Sequence, residues 1–437
     1  MLTTHGGHPV RDSGTRSIRI SSVTVTPVAF RDPPLLNASG VHQPYALRAI
    51  VEVGTDAGLH GVGETYATTG HLARLEAAAR VLVGMDVRAL NAMHARLAAL
   101  LAAEGRRAAF GPTGASTAES TVDRVFAPFE VACLDIQGKA AGCPVSDLLG
   151  GAVRDSVPFS AYLFYKWAGH PGAEPDAWGA ALDTEGIVSQ ARRMLDAYGF
   201  TAIKLKGGVL PPDQEIETMR ALYGEFPGVP LRLDPNTSWS VPTSLKVARE
   251  LDGVVEYLED PTPGLDGMAE VAAHAPMPLA TNMCVVAFEQ LAPSIARDAV
   301  QVVLSDHHYW GGLHRSKLLS GICETFGLGL SMHSNSHLGV SLAAMTQLAA
   351  ATPHLTYACD THWPWKDEQE DVISPGVLSF NEGSIAVPRT PGLGVHLDPD
   401  RLARLHEQYL TCGIRDRDDT AYMRTVNPAY ERLRPRW

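Results

Sequence analysis

The stretch Ala202-Ile203-Lys204-Leu205-Lys206-Gly207-Gly208 is a short apolar run in which two lysines alternate before a pair of glycines. Similar short β-rich runs recur along the chain, with helical patterns such as Ile187–Ala197 and Leu313–Phe326 between them. Eight such strands alternating with helices over about 235 residues predict a (β/α) barrel rather than an open sheet. The predicted strands are Val157–Phe164, Ala202–Leu205, Leu231–Leu233, Val254–Leu258, Leu279–Thr281, Val300–Leu304, Gly329–Met332 and Leu355–Ala358.

In the residues before the first barrel strand, predicted strands and helices do not alternate. Three β-rich stretches, typical of an antiparallel meander, precede three helical patterns: Ile18–Val28, Tyr45–Val53 and the turn and strand Gly58–Glu64, then Leu72–Val83, Val87–Ala103 and Phe126–Ala141. Strands followed by helices, without alternation, predict a separate α+β unit. The segment Phe380–Asp398 is rich in Gly and Pro and is expected to leave the barrel. We expect the helix Pro399–Leu410 to pack back on the first unit. The predicted divisions are a disordered tail over 1–17, the α+β unit over 18–150, the barrel over 151–390 and a closing C-terminal segment over 391–437.

Composition excludes several classes of protein. With 437 residues, 45% hydrophobic and 19% charged, the chain has the balance of a globular protein. Its net charge of −12, without a Lys/Arg run, makes nucleic acid or an anionic membrane an unexpected partner. A polar start, the lack of a long apolar stretch and six cysteines without paired spacing predict a cytoplasmic protein with reduced thiols. We expect a small-molecule substrate and a homo-oligomer.

The predicted strands end in polar side chains. The strand ends follow one another at intervals of 23 to 28 residues, which is the length of one βα unit. Active sites of such barrels lie at the C-terminal ends of the strands, so these side chains should form one ring. They are Lys204 and Lys206, then Asp234, Glu259, Asn282, Asp306 and His333.

Three members of the ring offer oxygen ligands. Asp234, Glu259 and Asn282 would suit Mg²⁺, which prefers carboxylate and other oxygen donors and keeps positions open for water or substrate. Each alone also fits ordinary structure, because Asp234-Pro235-Asn236 is typical of a turn, Glu259-Asp260-Pro261 of a loop entry and Asn282 of a helix cap. Their shared spacing favours a metal site.

The remaining members offer acid/base chemistry. Lys204 and Lys206 are two residues apart and share one face of a strand, where each ammonium should lower the pKa of the other and leave one as a base. A solvated lysine pair is the alternative. His333 could be oriented by Asp306. Alternatively, His333 is a hydrogen-bonded core residue, or His333 and His337 bind a softer metal.

The order and spacing of these residues resemble the enolase superfamily, most closely the glucarate dehydratase group of its mandelate-racemase-like branch. The likeness runs from about Ile18 to Arg417. It rests on Leu36-Asn37-Ala38-Ser39-Gly40-Val41-His42, Lys204-Leu205-Lys206-Gly207-Gly208-Val209-Leu210, Leu233-Asp234-Pro235-Asn236, Glu259-Asp260-Pro261, Ala280-Thr281-Asn282-Met283, His333-Ser334-Asn335, Asp360-Thr361-His362-Trp363 and Arg417-Asp418-Asp419.

The resemblance implies a (β/α)7β TIM-like barrel closed by an α+β capping domain, with Mg²⁺ bound by Asp234, Glu259 and Asn282. It implies that Lys206 and the His333–Asp306 pair are the acid/base groups and that Lys204 holds the substrate carboxylate. The implied substrate-binding residues are His42, Ser116 (or Thr117), Tyr162, Asn236, Asn335, His362 and Arg417.

The implied activity is that of a Mg²⁺-dependent hydro-lyase. It would remove water from a hexarate, D-glucarate and also L-idarate, through an enediolate to give a keto-deoxy-hexarate. One alternative is a dehydratase, racemase or epimerase that acts on a different acid sugar. Another is a non-catalytic protein that binds sugar acids. The presence of Lys206, His333 and Asp306 favours an enzyme.

Overall fold

The computed structural model describes residues 17–102, 109–111, 114–116 and 118–437. All but the last residue of the tail expected over 1–17 therefore lies outside the described residues, as do Thr117 and the side chain of Ser116. Of the helices in the described part of the chain, none combines the length and the apolar character that crossing a membrane requires.

The N-terminal unit is built on a three-stranded antiparallel sheet in the order β1-β4-β5, covered by helices. Its third helix begins well before the expected Phe126 and includes Pro128. The elements of this unit are β1 Ile20–Arg31, β2 Leu36–Asn37, β3 Gly40–Val41, β4 Tyr45–Thr55, β5 His60–Tyr66, α1 Thr69–Leu82, α2 Leu90–Leu101, β6 Ala109–Gly111, β7 Gly114–Ser116, α3 Ala118–Ala141 and α4 Val145–Leu148.

A barrel comes next, within residues 118–437, all of which the structure describes. Seven neighbouring strands run in parallel, and the eighth pairs with the first and contacts the seventh, so the strands surround one interior. This confirms the predicted (β/α)7β fold with a capping unit. The barrel elements are β8 Ser156–Phe164, α5 Thr184–Tyr198, β9 Ile203–Lys206, α6 Pro212–Glu225, β10 Leu231–Asp234, α7 Val241–Glu250, β11 Tyr257–Glu259, α8 Gly264–Ala272, β12 Leu279–Thr281, α9 Phe288–Arg297, β13 Val302–Ser305, α10 Leu313–Phe326, β14 Gly329–Met332, α11 Gly339–Ala350 and β15 Cys359–Thr361.

The predicted eighth strand, Leu355–Ala358, is wrong. Strand β15 begins at Cys359, which lies opposite Phe159 of β8, whereas Thr356 and Tyr357 make loop hydrogen bonds to the carbonyl of Leu330. The apolar run alone does not show which residues pair with β8.

The segment expected to leave the barrel also forms strands. Within 380–398 the structure has β16 Phe380–Asn381 and β17 Ser384–Ala386, and β17 pairs antiparallel with the start of β8. Strand β8 is nine residues long and extends beyond its parallel partners, so its early residues leave an edge that this hairpin covers.

The chain returns to the N-terminal unit after the barrel. Helix α12, Pro399–Thr411, packs against β1 as expected. His406 Nδ1 donates to the carbonyl of Pro27 at 2.7 Å, and Gln408 donates to that of Ala29 at 3.0 Å. Helix α13, Asp419–Val426, then lies against the β2–β3 hairpin and brings Arg417 and Asp419 to the barrel mouth.

Candidate active site

A cavity of about 320 Å³ lies where the C-terminal ends of the barrel strands face the N-terminal unit. This volume suits a small polar ligand. Lys204, Asp234, Glu259 and Asp306 lie behind the wall of the cavity and are fully or almost fully buried. The predicted site residues that line it are His42, Tyr162, Lys206, Asn236, Asn282, His333, Asn335, His362 and Arg417.

The two lysines of β9 face the barrel interior beside the carboxylates of the neighbouring strands. Lys206 Nζ is 2.5 Å from Asp234 Oδ2, and Lys204 Nζ is 2.5 Å from Glu259 Oε2 and 3.9 Å from Asp234 Oδ2. Burial would raise the pKa of Asp234, but Lys206 and Lys204 hold that pKa below its ordinary value.

The expectation that the two ammonium groups lower each other's pKa is wrong for Lys204. Burial acts to lower its pKa, but the negative charges of Asp360, Glu259 and Asp234 outweigh burial and raise the pKa well above the usual value. Asp360 Oδ2 accepts a hydrogen bond from Lys204 Nζ at 2.7 Å. Lys204 therefore stays protonated behind the cavity wall, whereas Lys206 lines the cavity.

Glu259 has the properties expected of a cation ligand. Burial and the charge of Asp234 raise its pKa well above the usual value, even with Lys204 nearby. Although Lys204 lies close, neither carboxylate oxygen receives a well-oriented hydrogen bond within the described residues. A buried carboxylate without a well-oriented donor, near an ionised Asp234 and on the strand next to the one that Asn282 follows, fits a divalent cation that prefers oxygen ligands.

Asp260 supports this group from behind. Its carboxylate accepts hydrogen bonds from the backbone N–H of Asn282 at 2.8 Å and from the Thr281 hydroxyl at 2.6 Å. Burial raises the pKa of Asp260 to about 7. Its φ of 39° is unusual for a residue other than glycine, and such strain is common where a backbone is held in place for function.

The turn at the end of β10 also contributes to the cavity. Asn236 has a φ of 54°, and its backbone N–H donates to Asp234 Oδ1 at 2.9 Å, so the stretch is a turn, as the alternative interpretation expected. Asn236 nevertheless lines the cavity. Tyr162 of β8 donates from its hydroxyl to Asp234 Oδ2 at 3.1 Å, and burial raises the pKa of this tyrosine well above normal.

His333 and Asp306 form a buried pair at the ends of β14 and β13. His333 Nδ1 is 3.0 Å from Asp306 Oδ2, and because an ionised carboxylate can only accept, Nδ1–H donates to it. Burial would raise the pKa of Asp306, but His308 and His333 hold it well below the usual range. The carboxylate therefore stays ionised and can stabilise an imidazolium.

Histidines also offer an alternative metal site. Within the described residues, Asp306, His307 and His308 form a group whose possible ligand atoms lie within 4.8 Å of one another. Both oxygens of Asp306, however, already accept from histidine ring nitrogens, and Arg48 Nη2 lies 2.9 Å from His308 Nε2. A cation would have to displace these donors, so the oxygen-rich group at β10–β12 is the better candidate.

The guanidinium of Arg417 also lines the cavity. Arg417 Nε and Nη2 donate to Asp419 at 3.0 and 2.7 Å, and Asn37 donates to the same carboxylate at 3.1 Å. Burial would raise the pKa of Asp419, but Arg417 holds it below the ordinary value. Arg417 and Asp419 therefore form a fixed ion pair at the cavity.

Other polar side chains that line the cavity are held in place by hydrogen bonds to their neighbours. His42 Nδ1 is 3.0 Å from Asp32 Oδ2, and Ser334 Oγ is 3.3 Å from His362 Nδ1. Burial lowers the pKa of His362 well below the usual value, so this ring is neutral. Asn335 donates at 3.0 Å to the hydroxyls of both Tyr66 and Tyr309.

Sequence reasoning missed four buried partners of the site: Asp32, His308, Asp360 and Asp419. Asp360 lies 27 residues after His333 and completes the ring spacing, which could have revealed it. His308 follows Asp306 by two residues, and Asp419 follows Arg417 by two. Asp32 has no comparable signal, because its contact with His42 depends on the loop between β1 and β2.

Comparisons with known proteins agree with this architecture. Residues 186–401 match the family model described as "Enolase C-terminal domain-like", and residues 19–150 match "Mandelate racemase / muconate lactonizing enzyme, N-terminal domain". A protein named "Probable glucarate dehydratase" from Streptomyces coelicolor is 53% identical over 97% of this chain and 100% of its own length.

Solved structures are similar over almost the whole chain. The crystal structure of an enolase from Mycobacterium smegmatis complexed with tartrate is 67% identical, with a TM-score of 0.93, and covers 97% of this chain and 99% of that one. The structure of an enolase from Thermobispora bispora complexed with magnesium and formate is 62% identical, with a TM-score of 0.94, over 96% and 100% of the two chains. The chain thus belongs to the enolase superfamily, in its mandelate racemase/muconate lactonizing enzyme branch.

Proposed function

We propose that this enzyme removes water from a hexarate, with D-glucarate and L-idarate as substrates, and releases a keto-deoxy-hexarate. The observation that carries the proposal is that Lys206, His333 and the guanidinium of Arg417 line one cavity, with Asp306 bonded to His333 behind the cavity wall. The 53% identity to a probable glucarate dehydratase supports the same reaction class.

Asp234, Glu259 and Asn282 would bind Mg²⁺, and relatives crystallised with magnesium support this choice of ion. The bound ion would supply positive charge next to the substrate carboxylate, where negative charge develops when the neighbouring carbon loses its proton. In the structure Lys206 Nζ lies against Asp234. Cation binding would release Lys206 toward the cavity.

Side chains of this protein carry the proton transfers. His333 Nε2 takes the proton from the carbon next to the carboxylate of D-glucarate, and Asp306 stabilises the imidazolium that forms. The imidazolium then gives the proton to the hydroxyl on the next carbon, which leaves as water together with the electron pair of its C–O bond. The resulting enol becomes the keto acid. Lys206 takes the proton from the substrate that has the opposite configuration at this carbon. Slow epimerisation therefore accompanies dehydration.

Other residues position the substrate. Arg417 would contact the distal carboxylate, while His42, Asn236, Asn335 and His362 would contact hydroxyl groups. Lys204, proposed from the family likeness to hold the carboxylate, lies behind the cavity wall and contributes its fixed charge from there.

A panel of D-glucarate, L-idarate, galactarate and D-gluconate with Mg²⁺ tests the proposal, with 2-keto acids detected by semicarbazide. We expect keto product from the first two, and His333→Asn should abolish its formation from D-glucarate because the base is lost. His274→Asn, the same substitution on the exposed surface, should leave the rate unchanged.

Three outcomes would contradict the proposal. A change in optical rotation without keto product would indicate a racemase or epimerase. Binding of hexarates without turnover would indicate a sugar-acid-binding protein. Near-native turnover by His333→Asn would show that another group is the base.

A further inference from the structure

The His333–Asp306 pair continues into a buried chain of charged and polar groups that the reaction above does not use. Asp306 Oδ2 faces His333 Nδ1 at 3.0 Å, whereas Oδ1 faces His308 Nδ1 at 2.6 Å and the backbone N–H of His308 at 2.9 Å. All three residues are almost completely buried. Asp306 is thus shared between two imidazoles.

Arg48 of strand β4, in the capping unit, determines which nitrogen of His308 carries the proton. Its Nη2 lies 2.9 Å from His308 Nε2. A guanidinium can only donate, so Nε2 must accept and the ring proton must be on Nδ1. The Ser341 hydroxyl, 2.8 Å from the same Nε2, can adopt either role and does not oppose this.

Arg48 is itself held firmly. Its Nε donates to Glu64 Oε1 at 2.7 Å, and Glu64 accepts from the backbone N–H groups of Leu338 and Ser341, both at 2.8 Å. The guanidinium also lies 4.5 Å from the centre of the Tyr66 ring. Arg48 therefore cannot move away from His308 without taking the guanidinium partner from the buried Glu64 carboxylate, which would be strongly destabilising.

We propose that His308 is a positioning residue that sets the basicity of His333. Held by Arg48 in one tautomer, it donates from Nδ1 to Asp306 and draws negative charge away from the oxygen that faces His333. Asp306 then stabilises the imidazolium of His333 less than an unshared carboxylate would. The proposal rests on the proposed function for the role of His333 as base.

Other groups also face His333 and must stay constant in a test. Lys206, His362 and Asn335 line the same cavity, and the Tyr309 ring is stacked with His333 at 5.9 Å between ring centres. The side chain of His308 hydrogen-bonds instead to Asp306, Arg48 and Ser341 and contacts the rings of Tyr66 and His307, so a substitution at 308 removes no direct hydrogen bond of those four groups. Changes at position 308 therefore report on Asp306.

The experiment compares His308→Leu, which removes the donor, with His308→Asn, whose side-chain amide can donate from nearly the position of Nδ1. The readouts are the acid limb of kcat/KM for D-glucarate against pH and the ¹⁵N NMR titration of the His333 ring. A hydrogen bond to a charged group corresponds to a shift of about one pH unit. We expect His308→Leu to move both readouts up by about that amount and His308→Asn to leave them near the wild type.

The wild-type ¹⁵N spectrum gives a check that needs no variant to fold. It should show His308 with a proton on Nδ1 and a bare Nε2. Three results would overturn the proposal. They are a proton on Nε2 of His308, a folded His308→Leu variant whose acid limb of kcat/KM lies at the wild-type pH, and equal shifts in the two variants. Because the titration needs no turnover, absence of keto product in the wild type would refute the proposed function while the NMR result still decides the role of His308.

Discussion

Arg417 enters the cavity with one edge of its guanidinium already bound. Asp419 accepts from Nε and Nη2, so the donors that remain for a ligand are on the end formed by Nη1 and Nη2. A planar group fixed in this way can bind a carboxylate with two parallel hydrogen bonds, which a lysine cannot reproduce. Recognition of a second carboxylate should therefore depend on the shape of Arg417 as well as its charge.

Arg417→Lys tests this dependence. We expect KM for D-glucarate to rise about 10- to 100-fold, since charge-assisted hydrogen bonds contribute about 1.5–3 kcal/mol. The kcat should fall less, because Arg417 is proposed to contact the distal carboxylate and not the reacting carbon. Arg415→Lys, in the exposed part of the same segment, is the control. Equal KM values for wild type and Arg417→Lys would show that this guanidinium does not bind the substrate.

At the level of residues, the sequence predicts those features that depend only on position along the chain. His333, Asp306 and Asp234 can be recognised because they end successive strands. The partner of His308 cannot be recognised in this way, because Arg48 comes from the capping unit 260 residues earlier and its contact exists only when the two units pack. The mistaken pKa of Lys204 has a similar cause, since Asp360, which raises that pKa, lies on the strand whose predicted bounds are wrong.

Helix α6 holds the loop that comes after Lys206. Its Glu215 accepts hydrogen bonds from the backbone N–H groups of Gly208, Val209 and Leu210 at 3.0, 2.9 and 3.0 Å. Gly208 has a φ of 72°, and a Cβ there would clash with the carbonyl oxygen of Pro235, so only glycine fits. The glycines after Lys206 thus let this loop pass close to the turn that carries Asn236.

Glu215→Gln tests the cost of burying this carboxylate. Burial raises the pKa of Glu215 from 4.5 to about 7, despite its three donors. Because the folded state favours the protonated form, its contribution to stability is complete below pH 4.5 and is lost as pH rises through 7. The free energy of unfolding of the wild type, relative to Glu215→Gln, should therefore fall by up to about 3 kcal/mol over this range.

Urea unfolding at several pH values measures this difference, with Glu217→Gln on the exposed face of the same helix as the control. If the wild type and Glu215→Gln keep a constant difference in stability from pH 4.5 to 7, Glu215 is not titrating as described.

At the level of elements, runs that are buried on both faces are predicted well. Leu279–Thr281 and Gly329–Met332 have the expected bounds. Two failures, at β15 and at the β16–β17 hairpin, arise where pairing with β8 decides the outcome, and the predicted strand Val254–Leu258 begins three residues before β11, Tyr257–Glu259. Local pattern cannot specify a pairing partner that lies about 200 residues away in the chain.

In the whole molecule, three distant parts of the chain meet at one cavity. The barrel supplies Lys206, Asn282 and His333, the N-terminal unit supplies His42, and the returning C-terminal segment supplies Arg417. The two-part architecture is predictable because strands and helices alternate in the barrel region but not in the residues that precede it. How the parts close over the cavity depends on tertiary contacts such as those of α12 with β1.

The central claim is that Asp234, Glu259 and Asn282 bind a divalent ion between Lys206 and His333, and a crystal structure with Mg²⁺ and an unreactive hexarate analogue tests it most directly. We expect the ion at about 2.0–2.2 Å from oxygens of those three residues, with Lys206 Nζ and His333 Nε2 on opposite sides of the carbon next to the carboxylate. An ion bound instead by Asp306, His307 and His308, or an analogue that has both bases on one side, would contradict the account.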